Sequence, residues 1–104
     1  MVTTPAVVPV GALQSYAESL VGPVQFACLL PLWIRESGWQ WNAANPSGAY
    51  GIPQALPGSK MAVAGPDWQT NPYTQIKWGV VDYIDPTYGN ACNAWAHELA
   101  SGWY

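Results

Sequence analysis

A carboxyl group set among tryptophans is the side chain in this sequence best placed to do chemistry. Glu36 closes the most apolar stretch of the chain, with Trp33, Ile34 and Trp39 around it. Apolar surroundings strip a carboxylate of hydration, disfavour its charged form and raise its pKa. A carboxyl raised towards neutrality is a candidate general acid. The competing reading is a surface carboxylate paired with Arg35 or another cation. Adjacent residues on a helix do not face each other, which weakens the Arg35 pairing. Five further carboxylates exist: Glu18, Asp67, Asp82, Asp85 and Glu98. Asp67 and Asp82 stand as candidates for a second acidic group. Asp85 reads as a helix-end residue, and Glu18 and Glu98 read as solvated. His97, the one histidine, falls near a helix end, where an imidazolium complements the dipole or simply packs. No phosphate-binding GxxxxGK[ST] loop and no GxSxG nucleophile elbow occur. The two cysteines, Cys28 and Cys92, are either buried thiols or a bridge closing a loop of about 65 residues. Without a CxxC pair and with one histidine, no zinc site is expected, and no other metal or cofactor is implied.

The elements that must position these groups are helical. Residues 11–21 carry Leu13, Tyr16, Ala17, Leu20 and Val21 at helical spacing, and Gly22-Pro23 stops them. Residues 24–36 form a second helix, apolar almost all round and therefore expected to be the buried central element. Pro31 should kink or restart it, and Ser37-Gly38 should end it. Residues 39–59 hold so many Gly and Pro that no long helix can cross them. They read as an ordered loop with a helical turn near residues 52–56, and a loop of that length is usually functional. Asn71-Pro72 is a helix start, cap then first residue. Tyr73, Ile76, Val80, Tyr83 and Ile84 follow until Asp85-Pro86 stops the helix. A last helix spans residues 90–100, with Cys92, Trp95, Ala96 and Leu99 on one face. Gly102 ends it, and the aromatic end suggests a docked terminus. The fold class is mainly α, with four to five helices around the Glu-bearing one. Residues 1–9 read as an arm or linker, without the basic and apolar regions of a secretory signal. Residues 10–104 read as one domain.

Composition narrows the partners. The chain has 104 residues, 9% charged and 13% aromatic, with seven Trp, six Tyr and one Phe. That is far from the charge-rich, aromatic-poor signature of disorder. Three basic residues and a pI of about 4.6 leave no patch for a phosphate backbone, so nucleic acid is not expected. The longest greasy run, residues 24–34, is too short for membrane insertion. Uncharged, Trp-rich surface suits an uncharged polymer such as sugar. The bland alternative is a small core filled with rings.

Three blocks carry a resemblance. Glu36-Ser37-Gly38-Trp39 is followed by Asn45-Pro46-Ser47-Gly48-Ala49-Tyr50-Gly51-Ile52-Pro53-Gln54 and by Pro57-Gly58-Ser59. In this order they resemble the lytic transglycosylase family with the goose-lysozyme-like fold, in which Gln54 falls at the expected distance from Glu36. More closely still, residues 39–78 and the closing Ala94-Trp95-Ala96-His97 and Gly102-Trp103-Tyr104 are similar to domains of actinobacterial cell-wall proteins and of actinobacteriophage tail or lysis proteins. The resemblance implies a lysozyme-like fold and cleavage of peptidoglycan between N-acetylmuramic acid and N-acetylglucosamine. It makes Glu36 the acid that protonates the glycosidic oxygen. The same group would then take the proton of the muramoyl C6 hydroxyl, leaving a 1,6-anhydro end. It places Gln54 beside the scissile bond, Asn45 near an N-acetyl group, and Tyr83 as the tyrosine that hydrogen-bonds the catalytic Glu. Tyr50 and Trp95 are candidates for the cleft wall. For Tyr50, Tyr83 and Trp95, packing in the core is the alternative. The resemblance also favours the Cys28–Cys92 disulfide.

The departures from the family pattern matter. Ile52-Pro53 stands where the family has Leu-Met, and Pro53 has no amide to offer a sugar. An Ala-Tyr-Asn-Ala-Gly motif is missing. Most glycosidases need two carboxyl groups, whereas one buried carboxyl suits attack by the substrate's own hydroxyl. The alternatives are a muramidase-type hydrolase and a non-catalytic wall-binding or structural module of a phage tail or secreted protein. Peptidoglycan implies a site of action outside the membrane. Without a signal in this chain, delivery by a larger polypeptide or a phage particle is expected.

Overall fold

The computed structural model describes residues 8–104. Apart from Val8 and Pro9, the arm expected over residues 1–9 lies outside them. The domain is mainly α: α1 (Val10–Val21), α2 (Pro23–Ser37), a short 3-10 helix (Gly58–Val63), α3 (Pro72–Lys77), a π-helical segment (Trp78–Ile84), α4 (Asp85–Tyr88) and α5 (Ala91–Ser101). Among the described residues no helix is long and apolar enough to cross a membrane.

Local chemistry sets most boundaries. Gly22, at φ 83°, separates α1 from α2, and Pro23 opens α2 where its missing N–H costs nothing. Gly38 ends α2 in the left-handed conformation, φ 63°. Asn71 caps α3 by accepting from the Tyr73 amide at 2.9 Å, and Asn90 caps α5 by accepting from Asn93 at 2.8 Å.

Four expectations need correction. Helix α2 continues through Pro31 without the restart that proline could have imposed. The carbonyl that Pro31 leaves unpaired belongs to exposed Ala27, where water can take it. Nor is α2 buried all round. Leu29, Leu32 and Trp33 face the core, while Val24 and Ile34 are 75% and 55% exposed. A domain this small has too few other helices to wrap a central one. Pro86 does not end the third helix, because a widened turn precedes it and the chain stays helical to Tyr88. Finally, α5 buries Ala91, Ala94 and Glu98, leaving Leu99 exposed. Small residues let α5 lie close to α2, and that close contact overrides the apolar stripe.

Two ties fix α5 on α2. Cys28 and Cys92 form a disulfide with 4.9 Å between Cα atoms. Gln25 Oε1 accepts from the Cys92 amide beside it at 2.9 Å. About two turns further along both helices, Arg35 meets Glu98. Contacts advancing in the same chain direction place the helices side by side in parallel. The core around them contains Leu13, Leu32, Trp33, Trp39, Ile76 and Ile84. Gly79 is needed at its contact, since a Cβ there would lie 2.5 Å from the Trp33 ring.

Buried Gln75 on α3 holds the long loop. Its Oε1 accepts from the Ile52 amide at 2.9 Å, and its Nε2 donates to the carbonyls of Trp41 (2.9 Å) and Trp68 (3.0 Å). Gly51, at φ 80°, is the only residue type that fits above it, because a Cβ would sit 2.7 Å from Oε1.

Two outcomes follow for stability. Replacing both cysteines by serine should lower the unfolding free energy by about 4 kcal/mol in the chain-entropy picture. The urea midpoint measures this, and an unmoved midpoint would mean that α5 docks without the bridge. Gln75→Leu strands one amide and two carbonyls, each costing about 1–3 kcal/mol when buried. It should therefore lower the melting temperature markedly, and a wild-type melt would remove Gln75 as the anchor of the loop.

Candidate active site

Glu36 lies in the last turn of α2, half-buried, in the wall of a cavity of about 430 Å³. The long loop supplies one side of this cavity through Asn45, Ala49, Pro53 and Gln54. Trp78, Tyr83, Trp103 and Tyr104 add aromatic lining, and Lys60 is the other charged residue in it.

The loop is fixed to the helix that carries the acid. Ser37 Oγ, next to Glu36, donates to the Ile52 carbonyl at 2.6 Å. Asn45 Oδ1 accepts from the amides of Ser47 and Ala49, both at 3.0 Å, so the carbonyl end is occupied in a turn. Its Nδ2 remains for a ligand. Gln54 donates both amide hydrogens inward, to Ala43 O (3.0 Å) and Gly51 O (2.9 Å). That leaves its Oε1 as the acceptor it can present. Gln54 also holds φ at 57°, a conformation non-glycine residues adopt at a cost.

The π-helical segment arranges the aromatic wall. Its i→i+5 bonding brings residues five apart onto one side. Trp78 and Tyr83 accordingly stack with centroids 5.3 Å apart and planes 5° from parallel. Tyr104 meets Tyr83 edge-on at 5.4 Å. Its hydroxyl donates to the Pro53 carbonyl at 2.7 Å and accepts from Trp33 Nε1 at 2.8 Å. Burial pushes the Tyr104 hydroxyl well above its ordinary range, so it remains a fixed neutral donor. The preceding residue is held too, because His97 Nδ1 donates to the Trp103 carbonyl at 2.8 Å and its ring packs on the indole.

The Glu36 carboxyl is raised from 4.5 to about 7. Burial is the largest cause. Next comes a hydrogen bond with the Glu98 carboxyl, then the Glu98 charge, while Arg35 pulls the other way. Glu98, expected in solvent, is only 1% exposed. Arg35 Nε lies 3.3 Å from its Oε2. Its Oε1 is buried with no hydrogen-bond partner among the described residues. The Arg35 side chain thus reaches across to α5 rather than back to Glu36. At pH 7 this arrangement supplies a carboxyl able to give up a proton and to take one back.

No protein family, curated protein or solved structure matches this chain.

The cavity gathers Glu36, Asn45, Gln54 and Tyr83 from the residues singled out in the sequence, and leaves out Tyr50 and Trp95. Tyr50 is part of the frame: its hydroxyl donates to Gln69 O at 2.7 Å and its ring packs edge-on against Trp68. Trp95 packs on the core. Among the described residues no hydrogen bond joins Tyr83 to Glu36, so the expected bond is not formed; the Tyr83 ring instead stacks on Trp78 and meets Tyr104 edge-on. Asp67 and Asp82 are outside the lining. Asp67 accepts from Asn71 and Thr74, both at 2.8 Å, and these bonds lower its pKa. It braces the start of α3. Trp103, Tyr104, Lys60 and Trp78 lie within the blocks that carry the resemblance but were given no part in the site.

The raised pKa makes a signed prediction. A folded-state value above the unfolded one stabilises the fold fully below pH 4.5, and that contribution is lost as pH rises through about 7. Glu36→Gln should flatten this fall when melting temperature is followed across the same window. Parallel curves for the variant and the wild type would show that Glu36 has its ordinary pKa.

Proposed function

We propose that this cavity cleaves the glycosidic bond between N-acetylmuramic acid and N-acetylglucosamine in peptidoglycan, as a lytic transglycosylase with a lysozyme-like fold. The observation that carries the reading is the half-buried Glu36 carboxyl, raised to about 7, in the wall of an aromatic- and amide-lined cavity. Pyranose rings have apolar faces that lie on aromatic rings, and N-acetyl groups pair with amides. Tyr83 and Trp103 offer the first, and Asn45 Nδ2 and Gln54 Oε1 the second.

In the proposed reaction Glu36 donates its proton to the glycosidic oxygen as the bond to muramoyl C1 breaks. The bonding electrons leave with that oxygen. The C6 hydroxyl then attacks C1 while Glu36, now a carboxylate, accepts the hydroxyl proton. A 1,6-anhydro end and a free sugar hydroxyl result, and Glu36 is protonated again. A two-carboxylate hydrolase needs partners about 5–5.5 or 6.5–9.5 Å apart across the bond. Glu98, Asp67 and Asp82 all lie outside the cavity lining. That favours attack by the substrate's own hydroxyl. The disulfide fits an oxidising site of action outside the cell membrane, delivered by a larger polypeptide or a phage particle.

Glu36→Gln should reduce clearing of purified cell wall by roughly 10²–10⁴-fold with the fold intact. A variant that clears wall at the wild-type rate ends this reading. Mass spectrometry of the products identifies the chemistry: anhydro ends for the transglycosylase, reducing muramic ends for a hydrolase. Binding without new ends would mean a wall-binding module.

A further inference from the structure

Glu98 is a buried charged group that the reaction above does not use. It projects from α5 towards the end of α2, 1% exposed, with Arg35 3.3 Å from Oε2 and no hydrogen-bond partner for Oε1 among the described residues, and Glu36, the next residue on α2 after Arg35, is the carboxyl its charge acts on. A buried carboxylate oxygen without a donor is costly. A proton between Glu36 and Glu98 removes that cost. Two carboxyls in contact cannot both be ionised cheaply, so they favour holding one proton between them.

We infer that Glu98 is a positioning residue that shares a single proton with Glu36, while Arg35 balances the one negative charge the pair retains. As a step in the cleavage chemistry this rests on the reading of Glu36 as acid and base. After Glu36 has protonated the leaving oxygen, two carboxylates face each other. Their repulsion makes Glu36 a stronger base for the C6 hydroxyl proton, which restores the shared proton. Glu98 is buried and outside the cavity lining, so it acts through Glu36 and not on substrate.

The groups around the pair leave few competitors for that proton. On α2 the neighbour is Arg35, which opposes the rise of the Glu36 value. On the π-helical segment and α4 stand Tyr83 and Tyr88, the latter pushed up to about 12, mainly by burial. At the chain end is Tyr104, well above its ordinary range and bonded to Pro53 and Trp33. On α5, His97 is engaged with Trp103. Lys60 is the cation in the cavity lining.

The test is a carboxyl-carbon NMR titration, which needs no substrate. The chain has three glutamates, so the Glu36 resonance can be assigned by substitution. In Glu98→Gln the Glu36 midpoint should move towards acid by about 1–2 pH units, keeping the part of its rise that burial causes. In Arg35→Gln it should move the other way. Glu98→Asp, which keeps the charge, should stay nearer the wild type than Glu98→Gln. In wall cleavage the basic limb of the pH profile should shift with each midpoint. A Glu36 midpoint unmoved in folded Glu98→Gln overturns the inference. If that variant does not fold, an Arg35→Gln midpoint that fails to rise does the same. Shifted midpoints in a protein that never cleaves wall would leave the shared proton standing and reject the cleavage reading. Cleavage with unshifted midpoints would do the reverse.

Discussion

The parallel contact of α2 and α5 is the constraint from which the site descends. It forces a carboxyl on each helix into one buried volume, where charge is expensive. A small domain could have placed a leucine at residue 98 and gained packing. With Glu98 there instead, the contact is stable only if Arg35 supplies the compensating charge and Glu36 supplies a proton. Arg35 and Glu36 are adjacent on α2; Arg35 reaches Glu98 at 3.3 Å, and the Glu98 charge acts on Glu36. The disulfide two turns away holds the register in which this three-way meeting is possible. Fold stability and proton affinity are therefore two aspects of one contact.

The other half of the cavity has no sheet behind it. It is a loop with two isolated bridges, Ala44 with Tyr50 and Tyr50 with Ala55. Side-chain amides do what a strand ladder would do elsewhere. Gln75 satisfies three backbone groups from the helix side, Gln54 satisfies two from within, and Asn45 closes a turn. Uncharged amides suit this task, because they donate and accept without adding charge near Glu36. Of the charges the chain has, Glu36 and Lys60 line the cavity.

Much of this was legible in the sequence, and the failures have a common form. Glu36 was readable because an apolar helix end surrounds it, whereas Asn45 and Gln54 were singled out only by the resemblance of the loop blocks that hold them. The Asn71 and Gly38 caps were readable from local signals. Glu98 was misread because helical periodicity reports hydrophobicity, not the distance of approach between helices. Cys92, Trp95 and Leu99 formed the greasier stripe, but Ala91 and Ala94 formed the thinner one, and α5 docked by the thinner. Two small residues followed by a glutamate one turn on, beside a cysteine, were the available signal. The π-helical segment was missed because its apolar spacing reads as an ordinary helix, and its close contact at Gly79 is with Trp33, far away in sequence.

The scarcity of charge and the abundance of rings are one arrangement seen twice. Trp33 and Trp39 fill the core and pack on each other at 5.2 Å. Their contribution to Glu36 is structural, through the position of α2. The rings that line the cavity with Glu36 are Trp78, Tyr83, Trp103 and Tyr104. They come from the second half of the chain, from a widened turn and a docked end. An apolar setting for the acid is thus assembled by tertiary structure, although neighbours in sequence pointed to it correctly. Had Trp33 and Trp39 alone surrounded Glu36, the carboxyl would be buried in the core and closed to any ligand. Building its surroundings from remote rings is what leaves the carboxyl half-buried, dry enough to hold a proton near neutral pH and open enough to pass it on.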